Sequence, residues 1–447
     1  MQEIKPLFDF NTNKSNILIH QSSAEISINQ HTYTGNCEVR LELVPRANIY
    51  FYGYFQGVPF QDVMNVYLSQ NYINNFSING RQFQGFRLSS GGNAKSQEFN
   101  LKWCPKSEPV YGVGDESTKM SSLVFHLFNF VDLLGTPGSV QQNETGMHRI
   151  EHVDLMCDQW HVELKSLLST REEIKKLKEE GGYRLTHVGG IKRADNALFS
   201  GKDAQECLRA LRFFLSFAKG GWCEPICVVG FDKSGNRVWE SWSSPMEPWR
   251  VPLSWFDPHT GSQLVTLFPI FMRKWKDDNW REALEEVIYW YLNANFALRG
   301  IDAGIILTQA AIERLSYEYA VKDRRLLLAN GFKDLWASDE FRLLFSSLNI
   351  PLEIPLETPE IAKLAKDFNW QDVPHALTEI RNSLIHPEHK RRGMFDSAYY
   401  EAWNLGLWYL EMGLLAVCDY TETYGNRLNR KRTGLPIDPG SVGKNTY

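Results

Sequence analysis

The sequence predicts an α+β protein, with a β-rich N-terminal domain over residues 1–275, an all-α helical bundle over 280–430 and a loose tail over 431–447. Three observations lead there. Up to about residue 270, apolar and polar residues alternate in short runs broken by Gly, Asn and Asp, the period-two pattern of strands. From Asp277 the apolar spacing changes to i, i+3, i+4, the pattern of helices packed on one face. The chain's 447 residues, 43% apolar and 23% charged, are enough for two or three cores.

Each element has its own signal. In "NCEVRLELVP", Cys37, Val39, Leu41 and Leu43 share one strand face. The aromatic run Tyr50, Phe51, Tyr52, Tyr54 and Phe55 is expected in a β core, with a carbohydrate or peptide groove as the alternative. Thr170 and Glu173 have capping-box spacing, and their helix is expected to stop at Gly181-Gly182. Ala204, Leu208, Leu211, Leu215 and Ala218 form a second helical stripe, ended by Gly220-Gly221. "ICVVGFDKSGNRVWESW" reads as a hairpin turning at Asp232–Gly235. In the bundle, Leu284, Val287, Ile288, Tyr291 and Leu292 mark one helix, and "IDAGIILTQAAIERLSYEYAVKDRR" a second. A break rich in proline (Pro351, Pro355, Pro359) follows, then helices from about Asp372 to His386 and from about Asp396 to Tyr420.

Bulk properties narrow the function. A net charge of −5 and a pI near 6.2 argue against coating a long duplex. The start has no basic and apolar leader pattern, so a secretory signal is not expected. The least polar run, "LGLWYLEMGLLAVCDY", is too short to span a bilayer and carries Glu411, so no membrane association is expected. Seven scattered cysteines suit reduced thiols in a cytoplasmic protein. No cofactor and no metal are expected. "HRIEH" (148–152) matches a zinc-protease pattern, but that chemistry needs a helix and the setting reads as strand. Cys223 and Cys227 read as core thiols.

The most informative stretch is "TEIRNSLIHPEHKRRG" (378–393). Val373, Leu377, Ile380 and Leu384 form the buried stripe of its helix, with Asp372 and Pro374 suited to the start. At 100° per residue Arg381 lies roughly 70° from the stripe's centre, at the rim of the core. His386 lies about 140° round from Arg381, so one helix face does not present both. Pro387 disfavours α geometry at His386, which puts the histidine at a helix C-terminus, where the dipole favours its protonated form. A histidine serves as general acid or base near neutral pH, and an arginine stabilises charge on a phosphorane. Asn382 is placed to orient either group or to bind a phosphate oxygen. His389, Lys390, Arg391 and Arg392 are candidates for gripping the flanking phosphate backbone, with a solvated loop as the alternative for the run Lys390 to Arg392. A plainer reading makes Arg381 and His386 a capping pair for the last helix carbonyls. Glu313 in "AAIERL" is expected either to pair with an arginine of the bundle or to lie on the surface.

"RNSLIH" matches the R-polar-xxx-H signature of HEPN-domain ribonucleases. With "AAIERL", "FKDLWASDEFRLLF", "WQDVPHALTEIRNSLIHP" and "YLEMGLLAVCDYTETYGNRL", residues 280–430 resemble the Apea-like HEPN branch. The N-terminal part resembles, more weakly, the β-rich domain ahead of such modules, through "LRFFLSFAKG". The resemblance implies a metal-independent endoribonuclease with Arg381, Asn382 and His386 in catalysis. It also implies cleavage of RNA, tRNA among the candidates, by 2′-hydroxyl attack, and a role as a toxin or abortive-infection antiviral effector. A homodimer through the bundle is implied too, and the apolar residues of "LGLWYLEMGLL" are expected to supply its contact. A catalytically inactive HEPN scaffold for nucleotide, RNA or a partner is the alternative. From residue 280 onward 19 Lys and Arg stand against 23 Asp and Glu, a net −4, so any RNA site there must be a small basic patch.

Overall fold

Six antiparallel strands close the first β body into a barrel: β1 (Asn16–Ile28), β2 (His31–Glu42), β3 (Asn48–Gln56), β4 (Asn75–Ile78), β5 (Arg81–Asn93) and β6 (Glu98–Pro105), in the order β1-β2-β3-β6-β5-β4. Closure leaves no free edge. The computed structural model describes residues 4–10, 15–28, 31–68, 75–93, 96–133, 138–143, 146–251, 253–296, 300–386 and 393–428, and at 67–68, 138–143 and 146–150 the backbone alone. Cys37, Val39 and Leu41 point into the barrel beside Phe51, Phe55, Phe76 and Trp103, as the alternation predicts. The aromatic run does not enter the core as a whole. Phe51 and Phe55 are interior, whereas Tyr50 and Tyr52 are half-buried and Tyr54 is exposed on the outer face. A helix, α1 (Phe60–Leu68), connects β3 to β4.

The second β body is an antiparallel eight-stranded sheet, built from β7 (Val110–Val113), β9 (Ser122–Phe128), β10 (Gly138–Asn143), β11 (Gly146–Met156), β12 (Trp160–Ser166), β13 (Leu185–Arg193), β15 (Ile226–Phe231) and β16 (Arg237–Trp242). Its order is β10-β11-β12-β13-β9-β15-β16-β7, and β8 (Lys119–Met120) pairs with β14 (Phe199–Ser200) beside it. The stretch expected as one β-rich unit over 1–275 therefore holds two β bodies, and it ends in a helix. The predicted hairpin is present: Asp232 Oδ1 accepts from Ser234 N (2.8 Å) and Asn236 N (2.9 Å) to tie its turn. "HRIEH" lies on β11, as its setting suggested.

Two helices interrupt the sheet. The first, α2 (Thr170–Glu180), ends at Gly181, but no capping box forms at Thr170. Thr170 Oγ1 instead donates to Thr186 O (2.5 Å), and Glu173 pairs with Arg184 (2.9 Å), because tertiary partners outcompete the local cap. The box forms on α3 (Gly201–Lys219), between Ser200 and Asp203. Gly220 ends α3 in the left-handed conformation (φ 74°), where a Cβ would meet Leu253 O at 2.3 Å.

One apolar core runs from the inner face of this sheet (Phe125, Val162, Ile191) through Phe214 and Phe217 of α3 into the helices beyond. These are α4 (Ser262–Trp275), α5 (Asp278–Ala294), α6 (Ile301–Tyr317), α7 (Ala329–Lys333), α8 (Ala337–Ser347), α9 (Pro359–Phe368), α10 (Val373–Ile385) and α11 (Tyr399–Val417). A buried polar knot ties the two regions together. Arg427 contacts both oxygens of Glu411 (Nη2–Oε1 2.6 Å, Nε–Oε2 3.0 Å), and the Tyr291 hydroxyl donates to Oε1 (2.6 Å). Arg427 also donates to Leu253 O (3.1 Å), while Asn295 Nδ2 donates to Gly220 O and Leu253 O (2.7 Å each).

α11 is the axis of the helical region, and every residue from Leu405 to Cys418 is buried within this chain. A helix apolar on all sides belongs in a core. The expectation that "LGLWYLEMGLL" forms a dimer contact is therefore overturned. Among the described residues no helix is long and apolar enough to cross a membrane.

Candidate functional site

The motif helix α10 starts and stops as its sequence dictates. The Asp372 carboxylate accepts from His375 N (3.0 Å) and is gripped by Arg342 of α8 through Nε (2.7 Å) and Nη2 (3.0 Å). Val373, Leu377 and Ile380 are buried, and Leu384 packs against the same core. At the far end His386 has left the helix (φ −92°, ψ 109°), as a residue before proline does. Its N–H donates to Asn382 O (3.1 Å) and its side chain is exposed.

Arg381 occupies the rim, with 18% of its side chain exposed. Its Nε donates to Gln309 Oε1 (3.2 Å) and its Nη2 to the Glu313 carboxylate, both on α6. Gln309 is itself buried, and its Nε2 donates to Leu377 O (2.5 Å), so one amide locks α6 to α10 and sets the arginine's rotamer. Glu313 thus takes the first of its two expected placements. Glu340 of α8 completes the group. Burial raises its carboxyl to about 7, Glu313's charge pushes the same way, and Arg381 opposes both. Gln309 and Glu340 were not legible beforehand, although Gln309 lies four residues before Glu313, on the same face of one helix.

The structure brings together Arg381, Gln309, Glu313 and Glu340, and it sets His386 and half-buried Asn382 at the open end of the same helix. Arg381 and His386 do not form the capping pair of the plainer reading, because Arg381 bonds to α6. His389, Lys390, Arg391 and Arg392 lie outside the described residues. Among the described residues no group of three or more His, Cys, Asp or Glu side chains is arranged to hold a metal. Cys223 and Cys227 are free and buried, and burial pushes the Cys223 thiol up to about 12.

Comparison with known proteins divides the chain where the architecture does. Residues 115–252, essentially the eight-stranded sheet with α2 and α3, match the model of the YopA central domain family, and residues 277–436, the helices from α5 onward, match that of the YopA C-terminal domain. Along nearly its whole length the chain is similar to one curated relative, the SPbeta prophage-derived uncharacterized protein YopA of Bacillus subtilis (strain 168). The two are 28% identical over 449 residues, covering 92% of this chain and 95% of the relative. No solved structure matches the chain.

Proposed function

We propose that the helical region is a HEPN-type, metal-independent endoribonuclease. The supporting observation is Arg381, locked at the rim by Gln309 and Glu313, on the helix that ends in exposed His386. A guanidinium has five N–H donors, and these two contacts leave three for a phosphate. In the proposed step His386 takes the proton of a ribose 2′-hydroxyl, O2′ bonds to the adjacent phosphorus, and the P–O5′ bond breaks. O5′ leaves as a hydroxyl, taking its proton from water, while His386 releases the proton it took to solvent, and no electron is transferred overall. Arg381 neutralises charge on the non-bridging oxygens, and Asn382 orients them. His389 and Lys390 to Arg392 are assigned to the RNA backbone on either side.

The active unit proposed is a cytoplasmic homodimer meeting at the ends of α10 and α11, where Ile385, Met394 and Tyr400 are exposed. The prophage origin in the relative's name supports an effector acting in phage conflict. One observation favours the second reading, a silent nucleotide- or RNA-binding scaffold: the Arg381–Glu313 pair, which a phosphate would have to displace or share. Labelled RNA incubated with the full chain in EDTA decides between them. Cleavage to 2′,3′-cyclic phosphate and 5′-hydroxyl ends, lost by a factor of about 10² or more in folded Arg381→Ala and His386→Ala, is the expected result. Intact RNA, 3′-hydroxyl ends, or either variant cutting at the parental rate would overturn the ribonuclease reading.

A further inference from the structure

The stretch from Val321 to Trp336 runs against the charge of the helical region around it. Four Lys and Arg (Lys322, Arg324, Arg325, Lys333) stand there against two Asp (Asp323, Asp334), a net +2 within a region that is −4 from residue 280 onward. All six side chains are exposed. Asp323 is matched by Lys274 of α4 (3.3 Å), and Arg324 lies 3.9 Å from the same carboxylate. Among the described residues Lys322, Arg325 and Lys333 have no ion-pair partner.

Large apolar side chains are exposed in the same stretch: Leu326, Leu328 and Trp336, the last with 78% of its surface accessible. Trp336 does not sit on a free loop. It is the N-cap of α8 (φ −74°, ψ 150°), and its carbonyl accepts from Asp339 N (2.8 Å) and Glu340 N (3.0 Å). Just ahead of it Phe332 of α7 is buried edge-on against Tyr317 of α6, 5.4 Å between ring centres, and Leu335 N donates to Phe332 O (3.1 Å). The indole is thus presented to water from a fixed backbone. It stands one helical turn, about 5.4 Å, before Glu340, the glutamate grouped with Arg381 and Glu313. Tyr317, under α7, likewise follows Glu313 by one turn of α6.

Position and charge select the occupant. A planar indole stacks on any base, and unpaired cations beside it hold a phosphate backbone, the combination by which single strands are bound. An acidic protein would meet the same side chains, but that reading gives no reason for a place one turn from the group around Arg381.

We infer that Trp336 is a stacking platform for a base of single-stranded RNA flanking the phosphate at Arg381, with Arg325 and Lys333 on the strand's phosphates. The inference rests on the ribonuclease reading of α10. Fluorescence anisotropy of the full chain would use a labelled RNA of about 12 nucleotides, 2′-O-methylated throughout so that no 2′-hydroxyl attacks. Trp336→Ala should weaken binding about 5- to 150-fold and Trp336→Phe far less, both keeping the parent's thermal midpoint because the ring lies in water. An abasic strand should bind the parent and Trp336→Ala alike. Arg325→Ala/Lys333→Ala should flatten the slope of log affinity against log salt by about 1.4. Unchanged affinity in Trp336→Ala, an equal loss in Trp336→Phe, an unchanged salt slope in the cation variant, or no saturable binding below about 0.1 mM would overturn the assignment. So would a fall in molecular mass of Trp336→Ala by light scattering, which marks the patch as a protein interface. The two readings fail separately. Unmodified RNA cut by a chain whose binding ignores Trp336 defeats the platform alone, and Trp336-dependent binding without cleavage defeats the ribonuclease alone.

Discussion

Replacing Glu411 should unfold the helical region before any other single change of similar size. Its carboxylate and the Arg427 guanidinium are both fully buried, joined by two contacts at 2.6 and 3.0 Å, with the Tyr291 hydroxyl on the same carboxylate. Removing one partner of such a pair strands the other charge away from water, which costs about 3–5 kcal/mol. Glu411→Leu and Arg427→Met should each lose that much. In the double variant no charge is stranded. The Tyr291 hydroxyl and the Asn295 side-chain oxygen lose a partner, at about 1–3 kcal/mol each, whereas Leu253 O keeps its bond from Asn295. At the middle of these ranges the singles sum to about 8 kcal/mol and the double variant loses about 4, so the double variant should lose about 4 kcal/mol less than the sum of the singles. Urea unfolding of the four proteins, followed by tryptophan fluorescence, measures the cycle. Single losses below about 1 kcal/mol, or strict additivity, would refute the view that this knot is a desolvated ion pair.

Two pH effects follow from a half-buried glutamate and a buried histidine. Glu340 has a folded proton affinity above its ordinary value, up to about 7, so its contribution to stability is full at acid pH and lost as pH rises from about 4.5 to 7. Glu340→Gln should gain on the parent more at pH 8 than at pH 5 in urea midpoints; a gain independent of pH would contradict the assignment. His187 behaves oppositely. Burial alone pushes it down to about 3, and neither ring nitrogen has a hydrogen-bond partner among the described residues, so stability is present above about pH 6.5 and lost as pH falls toward 3. At pH 5 the loss is about 2 kcal/mol, and thermal unfolding of His187→Leu at pH 5 and 7.5 should show it removed.

How far these features could be read in advance depends on whether their cause is local. The strand face of Cys37, Val39 and Leu41, the Asp232 turn and the two ends of α10 are decided by alternation, a turn carboxylate, an N-cap and a following proline, all within a few residues. Pro269 hid α4, although Leu264, Leu267, Phe268, Phe271 and Trp275 keep helical spacing around it. The proline is tolerated because the carbonyl it deprives of a donor belongs to Val265, 42% exposed, where water can bond instead. Likewise Pro359, read as part of a break, opens α9 at its first turn. Barrel closure and the outward turn of Tyr50, Tyr52 and Tyr54 depend on register between distant strands, which no local pattern encodes. In the same way Arg381 meets Glu313 across 68 positions of sequence.

That pair bears directly on whether Arg381 can serve a phosphate. A carboxylate beside a catalytic arginine looks inhibitory, but its strength decides the matter. With 18% and 38% of the two side chains exposed, the pair is worth about 1 kcal/mol or less. On the proposed reading, a charge-assisted hydrogen bond from the same guanidinium to an RNA phosphate would be worth about 1.5–3 kcal/mol, enough to displace or share Glu313 at a net gain. Glu340 lowers the barrier further. Because its carboxyl is raised to about 7, it is partly protonated near neutral pH, and the two carboxylates around Arg381 carry less than two negative charges. The arginine is thus held in one rotamer by groups weak enough to yield, as the proposed ribonuclease reading requires of a site ordered before its substrate arrives.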